Sequence, residues 1–208
     1  MTTPEGSTPM NKPVAPSSAD IAARLAAIVG ERYVLTSEQD MAPHLVEWRG
    51  LYKGRARAVV KPANTQEVSA IMALASREGL KIVPQGGNTS LVGGSIPFDG
   101  GDEVVLSLSR MDRIREVDPL SDSMTVEAGV TLLRAQEAAD GADRLFPLSL
   151  ASEGTCTIGG NLGTNAGGTA VLAYGNTREL VLGLEVVLAD GRIWSNGGGC
   201  TKVGPAPS

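Results

Sequence analysis

Cysteine and histidine are nearly missing from this chain of 208 residues, which holds two cysteines, Cys156 and Cys200, and one histidine, His44. Two thiols and a distant imidazole supply neither a zinc cluster nor a disulfide framework, so reduced thiols and no bound metal are expected. Basic charge is also short. Lys and Arg number 18 against 23 Asp and Glu, a formal net charge of −5, which argues against nucleic acid and suits a small neutral or anionic ligand. No apolar run approaches the roughly 20 residues of a membrane span, Val181 to Ala189 being among the longest. The first 18 residues are rich in Pro, Ser and Thr and lack an apolar signal core, so they read as a disordered lead, and a cytoplasmic location follows by default. Neither GxxxxGK[ST] nor GxGxxG occurs, which sets aside a P-loop and weakens a nicotinamide-binding Rossmann unit.

What is present is an ordinary globular balance, 42% apolar and 20% charged, on a length sufficient for one core or two small lobes. Ile21, Leu25, Ile28 and Val29 have helical spacing between Ser18, a candidate N-cap, and Gly30. A short helix follows Thr36 or Ser37, and residues 48–57 read as a loop into the strand Ala58-Val59-Val60. Asn64 and Glu67 have capping-box spacing and open a helix that buries Val68, Ile71, Met72 and Ala75 and stops near Gly79. A strand at Lys81 to Pro84 completes a βαβ unit. Three β-type runs follow, Glu103 to Leu108, Ile114 to Val117 and Met124 to Glu127, then a helix over Thr131 to Ala139. Leu180 to Leu188, Asp190-Gly191 and Arg192 to Trp194 form a hairpin. The class is α+β. The expected division is a helical segment over 19–55, a ligand-binding domain over 56–194 and an irregular tail over 195–208.

Glycine is in excess, 26 of 208 residues against a usual share of about 7%, and it is clustered. The first cluster is Pro84-Gln85-Gly86-Gly87-Asn88-Thr89-Ser90-Leu91-Val92-Gly93-Gly94. Successive backbone N–H groups and short polar side chains suit a pyrophosphate held without cations. The second, Gly154 to Gly168, includes Thr157-Ile158-Gly159-Gly160-Asn161 and Asn165-Ala166-Gly167-Gly168. Small residues dominate it so strongly that the backbone must pass close to something large and flat, or to another backbone. A cofactor between two such loops is the physical reading. Cys156 reads as a small apolar filler, His44 as a surface or capping residue, and Arg49, Arg55 and Arg57 as solvated.

Pro84 to Pro97, Thr157 to Asn161, Thr164 to Gly168 and Val181 to Gly191 together resemble FAD-linked oxidases of the vanillyl-alcohol-oxidase type, nearest the branch of D-2-hydroxyglutarate, D-lactate and glycolate dehydrogenases. The resemblance spans roughly residues 20–194. It implies a two-lobed PCMH-type FAD-binding domain, with the FAD pyrophosphate on Gly86 to Ser90. The isoalloxazine and ribityl side would lie by Pro147, the loop from Gly154 to Asn161, and Asn165 to Gly168. Pro84, Gln85, Gly93 and Gly94 belong to the same cofactor set. Two positions depart from the family: Ser90 stands where Gly is commoner, and Asn88 stands where flavinylated relatives carry histidine. Asn forms no histidyl–flavin bond, so dissociable FAD is expected.

In that family a substrate domain carries the base, the carboxylate-binding cation and a metal-binding histidine pair. No such set is found here, so no catalytic residue is assigned, and a small 2-hydroxy acid would bind only if a substrate domain is supplied. Resemblance ceases after Trp194, and a truncated or frameshifted reading, incomplete at the C-terminus, is expected. The leading function is the FAD-binding portion of a 2-hydroxyacid dehydrogenase whose flavin passes electrons to a separate acceptor. The alternatives are a noncatalytic flavin module working with a partner subunit, and a nonfunctional fragment.

Overall fold

The computed structural model describes residues 17–196, 200–202 and 204–205. Helix α1 (Ser18–Val29) is capped by Ser17, one residue earlier than expected, whose side chain accepts the Asp20 N–H at 3.2 Å. Ile21, Leu25 and Val29 recur every four residues, and all three are buried. Gly30, at φ +90°, ends the helix. Strand β1 (Val34–Leu35) and helix α2 (Glu38–Met41), capped by Ser37, lead to β2 (Ala56–Val60). Helix α3 (Thr65–Glu78) begins where Asn64 accepts the Glu67 N–H at 2.9 Å, but the Glu67 carboxylate reaches the Ala63 N–H instead of closing a full capping box. Strand β3 (Lys81–Gln85) then runs into the first glycine cluster.

Strand β4 (Glu103–Ser107) corrects the βαβ reading. It belongs to the first lobe and lies between the two strands that α3 connects, in a sheet of order β1–β2–β4–β3 with only β1 antiparallel. Every residue of β4 is buried, as a central parallel strand requires when both faces are covered. Ala58, Val60, Val104 and Leu106 face α1 and α3, while Val59 and Val105 face Met41. The segment over 19–55 is therefore built into this lobe, through β1 and α1, and does not stand apart from it.

The second lobe begins with the antiparallel pair β5 (Ile114–Asp118) and β6 (Ser123–Val126). Helix α4 (Leu132–Asp140), strand β7 (Arg144–Leu145), and helices α5 (Ile158–Thr164) and α6 (Val171–Tyr174) follow, then the hairpin β8 (Glu185–Val187) and β9 (Ile193–Ser195). Its core gathers Met124, Val130, Leu132, Phe146, Leu148, Cys156 and Ile158. Cys156 is thus a buried filler, as its surroundings suggested. The tail is less irregular than read. Strand β10 (Cys200–Lys202) pairs with β6, and β11 (Gly204–Pro205) with β7. Backbone pairing needs no side-chain periodicity, which is why the sequence did not show it. Of the disordered lead read over residues 1–18, Ser17 and Ser18 instead cap and open α1, and residues 1–16 lie outside the described residues.

Glu127 ties the second lobe's sheet to its loops. It is 3% exposed, and its carboxylate accepts the Arg113 N–H at 3.0 Å and the Arg113 guanidinium at 2.8 Å, with Arg115 at 3.3 Å. Burial pushes this carboxyl upward, but the Arg113 hydrogen bonds and charge outweigh it and hold it below the usual carboxylate range. A depressed folded value stabilises above the unfolded pKa, and that contribution is lost as pH falls through the folded one. Glu127→Gln should lower the unfolding free energy in urea at neutral pH by about 1–2 kcal/mol, because both arginines stay partly solvated. The gap between variant and parent should shrink on acidification, and a gap independent of pH would contradict this assignment.

Candidate functional site

The two glycine clusters meet. A side-chain carbon on Gly86 would collide with the Thr157 hydroxyl, and one on Gly87 with the Thr155 carbonyl, so the end of β3 crosses the entry to α5 at a distance only glycine allows. Of the two readings of this composition, another backbone is the one the structure displays at these positions. The second cluster also holds more order than a loop. Residues 158–164 form α5 despite three glycines, because Ile158 is buried in the core and Gly159 lies 2.7 Å, from its would-be Cβ, against the Ala128 side chain.

Gly86, Gly87, Asn88, Thr89 and Ser90 are all partly exposed. Among the described residues, none of their five backbone N–H groups has a protein acceptor, although Leu108 next to them still donates to the Gln85 carbonyl at 3.0 Å. Asn88 sits at φ +53°, in the left-handed region, which turns successive N–H groups inward as in anion-binding nests. Beside them Thr157 Oγ1 is buried without a hydrogen-bond partner. An orphaned hydroxyl costs about 1–3 kcal/mol unless something else satisfies it. Free peptide donors and an orphaned hydroxyl together fit the diphosphate of a dinucleotide.

Side chains of the first cluster serve the loop itself. Gln85 is 2% exposed, and its amide donates to the carbonyls of His44 and Ser95, both at 2.9 Å. That orientation leaves Gln85 Oε1 to accept Nδ1–H of His44 at 2.5 Å. His44 is therefore not a surface residue. Burial, opposed by Gln85 and aided by Lys61, lowers its pKa, so the imidazole is neutral at neutral pH. Asn88 donates to the Val46 carbonyl at 2.9 Å and accepts from Ser95 at 2.9 Å. Sequence reading missed Ser95 and Glu47. Glu47, 2% exposed, accepts the N–H groups of Arg49 at 2.6 Å and Leu51 at 2.7 Å and shapes the neighbouring turn. His44 and Val46 lie some forty residues from the loop side chains they hold, and no local pattern announces such pairs.

The remaining candidates fall in two groups. Ser149 bridges Gly168, which places Pro147 near the turn of Asn165 to Gly168. Asn165 is the left-handed cap of α5, and its side chain accepts the Arg178 N–H at 3.1 Å. Asn161 is buried beside Cys156. Gly93 packs against the Tyr52 ring, whereas Gly94 and Gly154 border open space. Arg49 and Arg55 are exposed, as expected of solvated arginines, and only Arg57 is half-buried. Arg49 donates to the Leu91 carbonyl, Arg55 to the Asp99 carbonyl at 3.0 Å, and Arg57 pairs with Asp102 at 3.6 Å. A second feature adjoins the crossing, an apolar cavity of about 430 Å³ between the lobes that extends from Pro84 to Gly159 and the edge of β8.

Comparison with known proteins agrees with this geometry. Over 166 residues the chain is 42% identical to a probable mitochondrial D-2-hydroxyglutarate dehydrogenase of Oryza sativa subsp. indica, covering 80% of this chain and 29% of that protein. It is 41% identical over 171 residues to the D-2-hydroxyglutarate–pyruvate transhydrogenase of Saccharomyces cerevisiae, covering 81% and 34%. It is 38% identical over 191 residues to the mitochondrial D-2-hydroxyglutarate dehydrogenase of Bos taurus, covering 92% and 35%. The chain thus spans about a third of the length of these curated relatives. The rice and bovine relatives are named mitochondrial, which overturns the cytoplasmic expectation, drawn only from a missing signal core. Among solved structures, alkyldihydroxyacetonephosphate synthase superposes with a TM-score of 0.80 at 18% identity, over 98% of this chain and 43% of that one. p-Cresol methylhydroxylase follows at 0.75 and 22%, over 86% and 35%. At such identities the likeness establishes the two-lobed PCMH-type fold. A family model described as FAD binding domain matches residues 56–197, and the chain belongs to that family of FAD-binding domains.

Proposed function

We propose that this chain is the FAD-binding portion of a flavin-dependent oxidoreductase acting on a 2-hydroxy acid, with D-2-hydroxyglutarate as the substrate class suggested by the names of its relatives. The carrying observation is the row of free N–H groups from Gly86 to Ser90 beside the orphaned Thr157 hydroxyl. Those donors would take the pyrophosphate, and the turn of Asn165 to Gly168 with Pro147 would border the flavin end. Bound there, FAD supplies an acceptor for the hydride leaving the substrate carbon. The chain's own residues hold and orient the cofactor. The proton acceptor and the carboxylate-binding cation lie outside the residues assigned here.

The flavin is held without a covalent bond in this reading. Asn88 has no nucleophilic ring nitrogen, and its side chain is engaged with Val46 and Ser95. After incubation with FAD and removal of free flavin, the protein should show a perturbed flavin absorption, and acid precipitation should release all the colour into the supernatant. Colour retained in the pellet would refute noncovalent binding, and no retained flavin at all would refute the site.

Two substitutions test the crossing, the first of them separating binding from folding. Thr157→Val keeps the shape and removes a hydroxyl without a protein partner, so the apo chain should be as stable as the parent or more so, while FAD binds about fivefold more weakly, near 1 kcal/mol. Equal affinity would remove Thr157 from the site. Gly87→Val, which drives a branched side chain into the Thr155 carbonyl, should abolish FAD retention in gel filtration and lower the melting temperature.

A further inference from the structure

His44 is the chain's single histidine, and the structure sets it against the loop that carries the free N–H groups. It grips Gln85 twice. The Gln85 amide donates to the His44 carbonyl at 2.9 Å, and the ring Nδ1 lies 2.5 Å from Gln85 Oε1. Asn88, further along the loop, donates to the carbonyls of Pro43 at 3.4 Å and Val46 at 2.9 Å. Residues 43–46 therefore back the first cluster from Gln85 to Asn88. The same bonds fix the tautomer. Gln85 Nε2 also donates to the Ser95 carbonyl at 2.9 Å, so the amide cannot turn over without breaking both of its bonds, and its Oε1 is an acceptor only. His44 must then carry hydrogen on Nδ1, which leaves the lone pair on Nε2, and among the described residues Nε2 bonds to no protein group. A proton taken up there breaks none of these contacts. It changes the charge behind the loop and leaves the loop's shape alone.

We propose that His44 couples FAD binding to a proton: the diphosphate on Gly86 to Ser90 favours an imidazolium at His44, and acidification tightens the hold on FAD. This rests on the cofactor reading above and adds a residue to it. Around the ring, Gln85, Asn88 and Ser95 are neutral, and Glu47 is tied to the N–H groups of Arg49, Leu51 and Tyr52. On the helix before it, Asp40 is bonded to Ser37 and Glu38 is exposed. Lys61 is the cation that acts on the ring, and together with burial it holds the imidazole of the empty protein neutral at neutral pH. Two negative charges arriving across Gln85 offset that cost, since partly buried charges are screened less than charges in open water. The coupling is reciprocal: FAD raises the proton affinity of His44 by the same factor by which the proton raises the affinity for FAD. Without FAD the ring's pKa lies below its ordinary value, so the gain is absent at neutral pH and appears as pH falls through that range. A diphosphate keeps both charges there, which assigns the change to the histidine.

The test measures FAD affinity of the whole chain from the quenching of flavin fluorescence, between about pH 8 and about pH 5.5. The dissociation constant should fall about three- to fivefold on acidification. Because the chain has one histidine, a single imidazole signal in nitrogen NMR spectra reports it directly. That signal should show hydrogen on Nδ1 at neutral pH, and FAD should move its titration upward. His44→Asn offers a side-chain N–H near the Nδ1 position and no titrating group, so its FAD affinity should lose the acid gain. His44→Phe leaves Gln85 Oε1 buried without a donor and should weaken FAD at every pH. The proposal is overturned by a flat profile for the parent protein, by the same slope in His44→Asn, by hydrogen on Nε2, or by an imidazole titration that FAD does not move. The last two need no variant to fold. Each of these outcomes leaves FAD bound and the cofactor reading standing. Absence of binding at every pH would instead overturn that reading, and this proposal with it.

Discussion

The crossing of two backbones at Gly86-Gly87 and Thr155-Cys156-Thr157 is the contact on which the site depends. Gly87 has no room for a side chain against the Thr155 carbonyl, and this approach brings the end of a first-lobe strand to the entry of a second-lobe helix. The lobes have separate cores, one around Val60, Ile71 and Val104 and one around Leu132, Phe146 and Ile158. They meet at this crossing, at the cavity next to it and where the β8–β9 hairpin packs on α3, Ser69 donating to the Gly191 carbonyl at 2.5 Å. A cofactor that lies across the crossing therefore touches both lobes, and the loss of a single hydrogen atom in favour of a methyl group there disturbs packing and binding together.

The loop above the crossing is held by contacts that cost it no donors of its own. Gln85 anchors the loop's root to His44 and Ser95, and Asn88 anchors its middle to Val46 and Ser95. All of these use side chains, so the backbone N–H groups from Gly86 to Ser90 stay available. Glu47 supports the opposite wall in the same manner, by accepting N–H groups of its own turn. A loop fixed before its ligand arrives loses little conformational entropy on binding.

Much of this was readable from local pattern. The caps at Ser37 and Asn64, the stop at Gly79 and the hairpin through Asp190-Gly191 follow from short-range chemistry, and the structure has them. The clusters of glycine marked the crossing, and the resemblance named the cofactor. What escaped has a common cause, since it depends on partners distant in sequence. The place of β4 between β2 and β3 is set by burial on both faces. The helix over 158–164 survives its glycines because Ala128 and the core receive it. The bond between His44 and Gln85 joins positions 41 apart, and no periodicity encodes such a pair.

Charge gives the last constraint. Three arginines of the first lobe are engaged within the protein: Arg49 with Leu91 and Glu47, Arg55 with Asp99, Arg57 with Asp102. The chain as a whole carries −5. Under the proposed reading a diphosphate would be met chiefly by peptide dipoles and a hydroxyl, which act over hydrogen-bond distances and are fixed in direction. Such a site gains little from long-range attraction and depends almost wholly on geometry, and its geometry is the crossing itself. The same physical requirement, a backbone without side chains, thus accounts for Gly86 and Gly87 and for the close approach of the two lobes there.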